Sequence, residues 1–302
     1  MTKIHHVKYI YIVLLTVLFT IVVTSCKEKK AEKQAVKENT TADDLRGALT
    51  FYASFDAGIH ADFAMGDSLL YTVPNRKASD SAQTGLHKPK VMRQTGKGKY
   101  GHGLQFAERS KGNIYYTSAG NIAYSKENWT GAISFWLSVD PNTELAEGYC
   151  DPIQITDVNY NDASIWVDFT DDEPRIFRLG VIGDLNIWNP EGLEEADELF
   201  LPQVAPVDNP PFAAGKWTHV LINFSGLNSG KGEASLYLDG KLKGAVSNIA
   251  LPFTWELDQS NIYLGLGYIG LMDELSIYNR SLTEKEIKVL AGLENGVHTL
   301  LE

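Results

Sequence analysis

From Gly47 onward the chain runs in short stretches of alternating apolar and polar residues. Leu49, Phe51, Ala53 and Phe55 interleave with Thr50, Tyr52, Ser54 and Asp56, a period of two that predicts a half-buried strand. Ile133-Ser134-Phe135-Trp136-Leu137, residues 217–224 and residues 262–267 read the same way. In the run from Ser164 to Phe169, Ile165, Val167 and Phe169 share one face, and Ser164, Trp166 and Asp168 share the other. Pro174 to Leu179 is its expected partner strand. Asp239-Gly240 supplies the preferred residues for a tight hairpin turn between two further strands. Near the C-terminus Leu275-Ser276-Ile277-Tyr278 predicts a last strand. Thr283 and Glu286 have capping-box spacing, with Ile287, Leu290 and Leu293 on one face of a short helix.

Two stretches lack this pattern. Residues 59–90 predict a long loop with short strands. Residues 183–214 form an acidic, proline-bearing insertion with Trp188, Glu194, Glu195, Asp197 and Glu198. A long irregular loop in a compact domain is usually functional or mobile.

The N-terminal end is different again. Lys3 and Lys8 precede an apolar run over residues 9–24, the form of a signal peptide. Val23-Thr24-Ser25-Cys26 follows and resembles a bacterial lipobox, which implies cleavage before Cys26 and lipid on that residue. Residues 27–44 offer almost nothing to bury and read as a flexible tether. The expected organisation is a signal peptide over 1–25, a tether over 26–46 and one folded domain over 47–302. That places the protein in a bacterial cell envelope, held to a membrane by its lipid.

The formal net charge of −11 disfavours nucleic acid as a partner, because such binders present a basic face. Only two cysteines occur in the 302 residues. With Cys26 committed to lipid, Cys150 is left as a small buried residue.

The order of motifs carries more than any one of them. It runs from the first strand through Trp129-Thr130-Gly131 and its strand to Trp217-Thr218-His219-Val220. The Leu238-Asp239-Gly240 hairpin, the Gly270-Leu271-Met272-Asp273-Glu274 strand and the closing helix follow. This series resembles laminin G-like domains of the concanavalin A-like lectin/glucanase superfamily over roughly residues 47–295. The resemblance implies an all-β jelly-roll sandwich of two antiparallel sheets with a short C-terminal helix, a concave face and a rim of loops.

The resemblance also implies a structural calcium ion between Asp56, at the end of the first strand, and Asp273. Glu274, Asp62 and the Gly58 carbonyl are further oxygens for its shell. The alternative reading makes Asp56 a turn former and Asp273 an acceptor of backbone hydrogen bonds. A sugar site needs an aromatic plate with carboxylates, amides or arginine around it. Trp166, Asp168, Arg178, Trp188 and Asn189 are the candidates, although a tryptophan in a sandwich is more often core.

The glucanases of the superfamily carry a run of acids on one strand. The nearest match, Glu195-Ala196-Asp197-Glu198-Leu199-Phe200, lacks the final acid and sits in the insertion. Asp168, Glu173 and Asp184 are the remaining acids for a cleft. The function expected is a lipid-anchored carbohydrate-binding module for polysaccharide capture or adhesion. A polysaccharide-degrading enzyme and a domain that binds surface proteins are the alternatives.

Overall fold

A computed structural model describes residues 40–109 and 112–302. Cys26, the expected signal peptide and most of the expected tether lie outside these residues. Residues 40–48 are helical (α1), so the last part of the expected tether takes regular structure. No helix among the described residues is long and apolar enough to cross a membrane.

From Ala48 on, the chain forms one compact unit of two antiparallel sheets. The first contains β1 (Leu49–Ala53), β2 (Phe63–Ala64), β5 (Val91–Gln94), β6 (Gly103–Phe106) and β8 (Trp129–Ser138). With them are β13 (Trp217–Leu227), β14 (Gly232–Leu238), β15 (Lys241–Ile249) and β17 (Gly270–Tyr278). The second runs in the order β12 (Val204–Val207), β11 (Phe177–Ile182), β10 (Ser164–Phe169), β9 (Cys150–Thr156), β16 (Asn261–Leu266), β7 (Asn113–Thr117), β3 (Tyr71–Val73) and β4 (Gln83–Thr84).

The predicted alternation explains how the sheets meet. Ile165, Val167 and Phe169 of β10 enter the core with Ile153 and Ile155 of β9 and Leu179 and Val181 of β11. Phe51, Ile133, Phe135, Leu137, Val220 and Ile222 face them from the first sheet. Packing of these inner faces is the main source of stability. The first and last strands are neighbours, with Tyr52 opposite Ser276. The Asp239-Gly240 turn has positive φ at both positions, as its residues predict. α4 (Glu284–Gly292) begins at the Thr283 capping box and buries Ile287 and Leu290.

Two expectations need correction. The strand expected from Pro174 starts at Phe177 and runs to Ile182. The 183–214 insertion is not irregular throughout. It forms two one-turn helices, α2 (Leu185–Trp188) and α3 (Asp197–Phe200), and then supplies β12, the edge strand beside β11. Short elements of this kind leave too little periodicity to be seen in sequence.

Candidate functional site

The outward face of the second sheet is not flat. Between β9, β10 and β11 on one side and the insertion on the other lies a cleft of about 820 Å³. Trp166, Asp168, Arg178, Trp188 and Asn189 all line it, so the five residues chosen for sugar binding do come together.

Their roles differ from those expected. Trp166 is only 2% exposed. Its ring lies against Gly180 on β11, where a Cβ would collide with the indole, and Phe200 of α3 stacks on it at 6.3 Å. The indole N–H donates to the Tyr160 carbonyl at 2.8 Å. Trp188 is buried in the same apolar cluster, and its N–H donates to the Asn161 carbonyl at 3.0 Å. Both tryptophans therefore build the wall and fasten the 159–161 turn, and neither offers an open ring face. Asn189 spends its amide on Leu193, accepting at 2.9 Å and donating at 3.0 Å.

The open aromatic faces belong to two tyrosines that sequence reasoning missed. Tyr149 is 54% exposed and Tyr160 50% exposed, and both line the cleft. Tyr149 stands just before β9, with the Arg178 guanidinium 5.0 Å above its ring. Tyr160 sits in the turn between β9 and β10, edge-on to Phe200. Their signal was their setting: Gly148-Tyr149 and Asn159-Tyr160-Asn161 place aromatic residues among turn formers, where packing into a core is difficult.

The polar floor is built on adjacent strands. Asp168 of β10 faces Arg178 of β11 in register. Arg178 Nε donates to Asp168 Oδ1 at 2.9 Å, and Nη2 donates to Oδ2 at 2.5 Å. Burial pushes the Asp168 carboxyl up, and the two bonds from Arg178 pull it down. Asp151, half-buried at the start of β9, lies nearby. Burial holds its carboxyl well above the usual range, with Asp168 adding to this and Arg76, Arg178 and Arg109 opposing it. Gln154 and Asn161 bring amides to the lining. Sugar recognition uses such sites: rings for C–H faces and fixed polar groups for hydroxyls.

The three acids considered for catalysis do not share the cleft. Asp168 lines it, Glu173 is exposed elsewhere, and Asp184 caps α2 through Asn186 N at 2.8 Å. Glu195 and Asp197 are exposed where α3 begins, and no strand carries them.

Asp56 and Asp273 do approach one loop. Asp56 Oδ1 accepts from His102 N at 2.6 Å, and Asp273 Oδ2 accepts from Tyr100 N at 3.1 Å. A bulge in β17, with Glu274 at φ 56°, lets the adjacent acid turn to other partners. Glu274 accepts from the Tyr52 hydroxyl and from Val297 N, both at 2.5 Å. Asp62 accepts from Ser54 N at 2.7 Å. Arg93 donates to the carbonyls of Phe55 and Asp56 and so occupies main-chain oxygens at the end of β1.

Each of these acids thus accepts at least one hydrogen bond, from main-chain N–H groups or, for Glu274, also from the Tyr52 hydroxyl. Among the described residues no group of three His, Cys, Asp or Glu side chains is placed to hold a metal. The donor set fits a hydrogen-bonded tie between β1, β17 and the C-terminal segment better than a calcium shell, which takes 6–8 oxygens. Burial pushes the Asp273 carboxyl up to about 8 and that of Glu274 up to about 7.

Cys150 is a free, buried thiol, as expected, and burial pushes it up to about 12, far from a reactive thiolate.

No curated protein sequence matches the chain. Among solved structures, domain 4 of AbnA, a GH43 extracellular arabinanase from Geobacillus stearothermophilus in complex with arabinotriose, is 18% identical. The match covers 81% of this chain and 98% of that one, with a TM-score of 0.47. The botulinum neurotoxin serotype D ligand-binding domain in complex with N-acetylneuraminic acid is 10% identical over 83% of this chain and 52% of its own, with a TM-score of 0.52. Trypanosoma rangeli sialidase is 16% identical over 81% and 32%, with a TM-score of 0.48. The chain spans about half the length of the toxin domain that it matches. At these identities the likeness is one of fold. A family model described as the concanavalin A-like lectin/glucanases superfamily matches residues 110–288, and the chain belongs to that family.

Proposed function

We propose that the domain binds carbohydrate in the cleft on the outer face of the second sheet. One observation carries this reading. Two exposed tyrosines, Tyr149 and Tyr160, flank a floor whose Asp168–Arg178 pair is locked in place. Rigid aromatic faces beside preorganised polar groups suit a sugar, which offers C–H faces and hydroxyls together. The toxin domain in complex with N-acetylneuraminic acid, about half of which this chain matches, is a sugar-binding protein that contains a domain of similar fold.

Native affinity gels cast with arabinan, xylan, pectin, chondroitin sulfate and mucin glycans test it. At least one gel is expected to retard the protein, and Tyr160→Ala is expected to remove the retardation without unfolding it. Normal migration in every gel would reject the proposal.

A catalytic reading rests on Asp151. A carboxyl at the floor of a cleft, held toward its protonated form beside a second acid, is the environment of a general acid. Release of reducing ends from the retarding polymer, lost in Asp151→Asn, would establish it.

The anchoring proposal rests on residues 1–26 of the sequence. The basic start, the apolar run and Val23-Thr24-Ser25-Cys26 support lipidation of Cys26, which would hold the domain at the cell envelope. Incorporation of labelled palmitate, lost in Cys26→Ser, is the expected result. Equal labelling of both proteins would exclude that residue.

A further inference from the structure

Beside the cleft the same sheet face opens into a second hollow of about 660 Å³. Asn75 and Arg76, Asp157 and Asn159, and Gln259 and Asn261 form its polar sides, with Tyr115 and Tyr263 among its lining residues. Backbone register joins the two hollows. Trp166 lies opposite Gln154, Gln154 opposite Tyr263, and Tyr263 opposite Tyr115. One row of outward side chains thus crosses from the first hollow to the second. It spans three inter-strand steps, roughly 14 Å, longer than a single sugar ring.

The boundary between the hollows is polar and incompletely paired. Arg76 lies over the Tyr263 ring, with Cζ 4.3 Å from its centroid, and Nη2 donates to Gln154 Oε1. Gln154 is 1% exposed, yet its Nε2 has no hydrogen-bond partner among the described residues. In the second hollow Asp157 Oδ2 accepts from Glu256 N at 2.8 Å, while its buried Oδ1 has no hydrogen-bond partner among the described residues. Buried polar atoms are normally paired, so a donor left open on this row and an acceptor left open in the second hollow mark positions for a ligand's hydroxyls.

We propose that the two hollows are one groove and that its ligand is an internal stretch of a linear polysaccharide, crossing from Tyr149 and Tyr160 past Gln154 to Asp157. This rests on the carbohydrate reading of the first cleft. Gln154 Nε2 donates to one hydroxyl, Asp157 Oδ1 accepts from another, and Arg76 lies along the chain between them. A monosaccharide or a chain end fills the first hollow alone.

Calorimetric titration of the full chain tests the groove. The probes are the di-, tetra- and hexasaccharide hydrolysis products of the polymer that retards the protein in the gels. The hexasaccharide is expected to bind about tenfold more tightly than the disaccharide, and Gln259→Trp, which fills the second hollow from its exposed rim, to remove that gain. Disaccharide affinity stays unchanged in the variant. If Gln259→Trp does not fold, Asn75→Trp from another exposed position on the rim takes its place. Equal affinity at all lengths, or a hexasaccharide indifferent to both variants, overturns the extended groove and leaves the first cleft standing. Absence of retardation by every polymer overturns both.

Discussion

Arg178 holds Asp168 through two bonds, Nε to Oδ1 at 2.9 Å and Nη2 to Oδ2 at 2.5 Å, across adjacent strands at the floor of the cleft. Asp168 is only 4% exposed, so the pair is a buried one. Removing one partner of such a pair strands a charge and costs about 3–5 kcal/mol, whereas replacing both with apolar residues is often near neutral. Arg178→Met is therefore expected to destabilise the domain strongly in urea unfolding, and adding Asp168→Leu to recover much of the loss. A single variant as stable as the parent would show that the pair holds nothing together.

The two kinds of aromatic residue in the cleft should separate in experiment. Trp166→Ala removes a ring packed between Gly180 and Phe200 and should cost about 3–5 kcal/mol. Tyr149→Ala and Tyr160→Ala alter exposed side chains and should stay within about 0.5 kcal/mol of the parent. Thermal melts of the three variants check this. A destabilised Tyr160→Ala and a neutral Trp166→Ala would reverse the assignment of plate and wall.

Stability should fall as the pH rises from about 4 to about 8. Asp273 and Glu274 are raised to about 8 and about 7 when folded, against about 3.9 and 4.3 in an unfolded chain. In this window the folded state binds more protons than the unfolded one, so the stabilisation is full below pH 4 and is lost through the folded pKa values. Glu286 works the other way. Burial opposes it, but the bonds from Arg280 and Thr283 hold its carboxyl at about 2, so its contribution is present above about 4.5 and lost as the pH falls toward 2. Urea midpoints from pH 4 to 9 should slope downward, and Asp273→Asn should flatten the slope. A rising slope across the window would contradict the burial argument.

The hydrogen bonds to Asp56 and Asp273 predict that calcium does not govern stability. An ion present at 100 times its dissociation constant would add about 2.7 kcal/mol, roughly 5–10 °C in melting temperature for a domain of this size. Melts in millimolar calcium and in EDTA are expected to coincide. A rise of that size, lost in Asp56→Asn, would restore the ion to the fold.

What could be read in the sequence follows the physics of each part. Long strands such as β8, β10, β13 and β17 show a period of two because one face meets the core, and the capping box of α4 is local chemistry. The face of Trp166 and Asp168 was legible for the same reason. What covers that face was not: Phe200 arrives from 34 positions away, through an insertion whose helices last one turn each. That long-range contact turns Trp166 from an open plate into a wall and leaves Tyr149 and Tyr160 as the open rings. The Asp273-Glu274 signature was visible too, but its partners Tyr100, Tyr52 and Val297 are set by tertiary contacts.

The most direct measurement is a crystal of the full chain soaked with oligosaccharides cut from the polymer that retards it. Density should lie on the outer face of the second sheet, against Tyr149 and Tyr160 and above the Asp168–Arg178 pair. Sugar density at the loop rim or on the first sheet, with this cleft empty, would contradict the account.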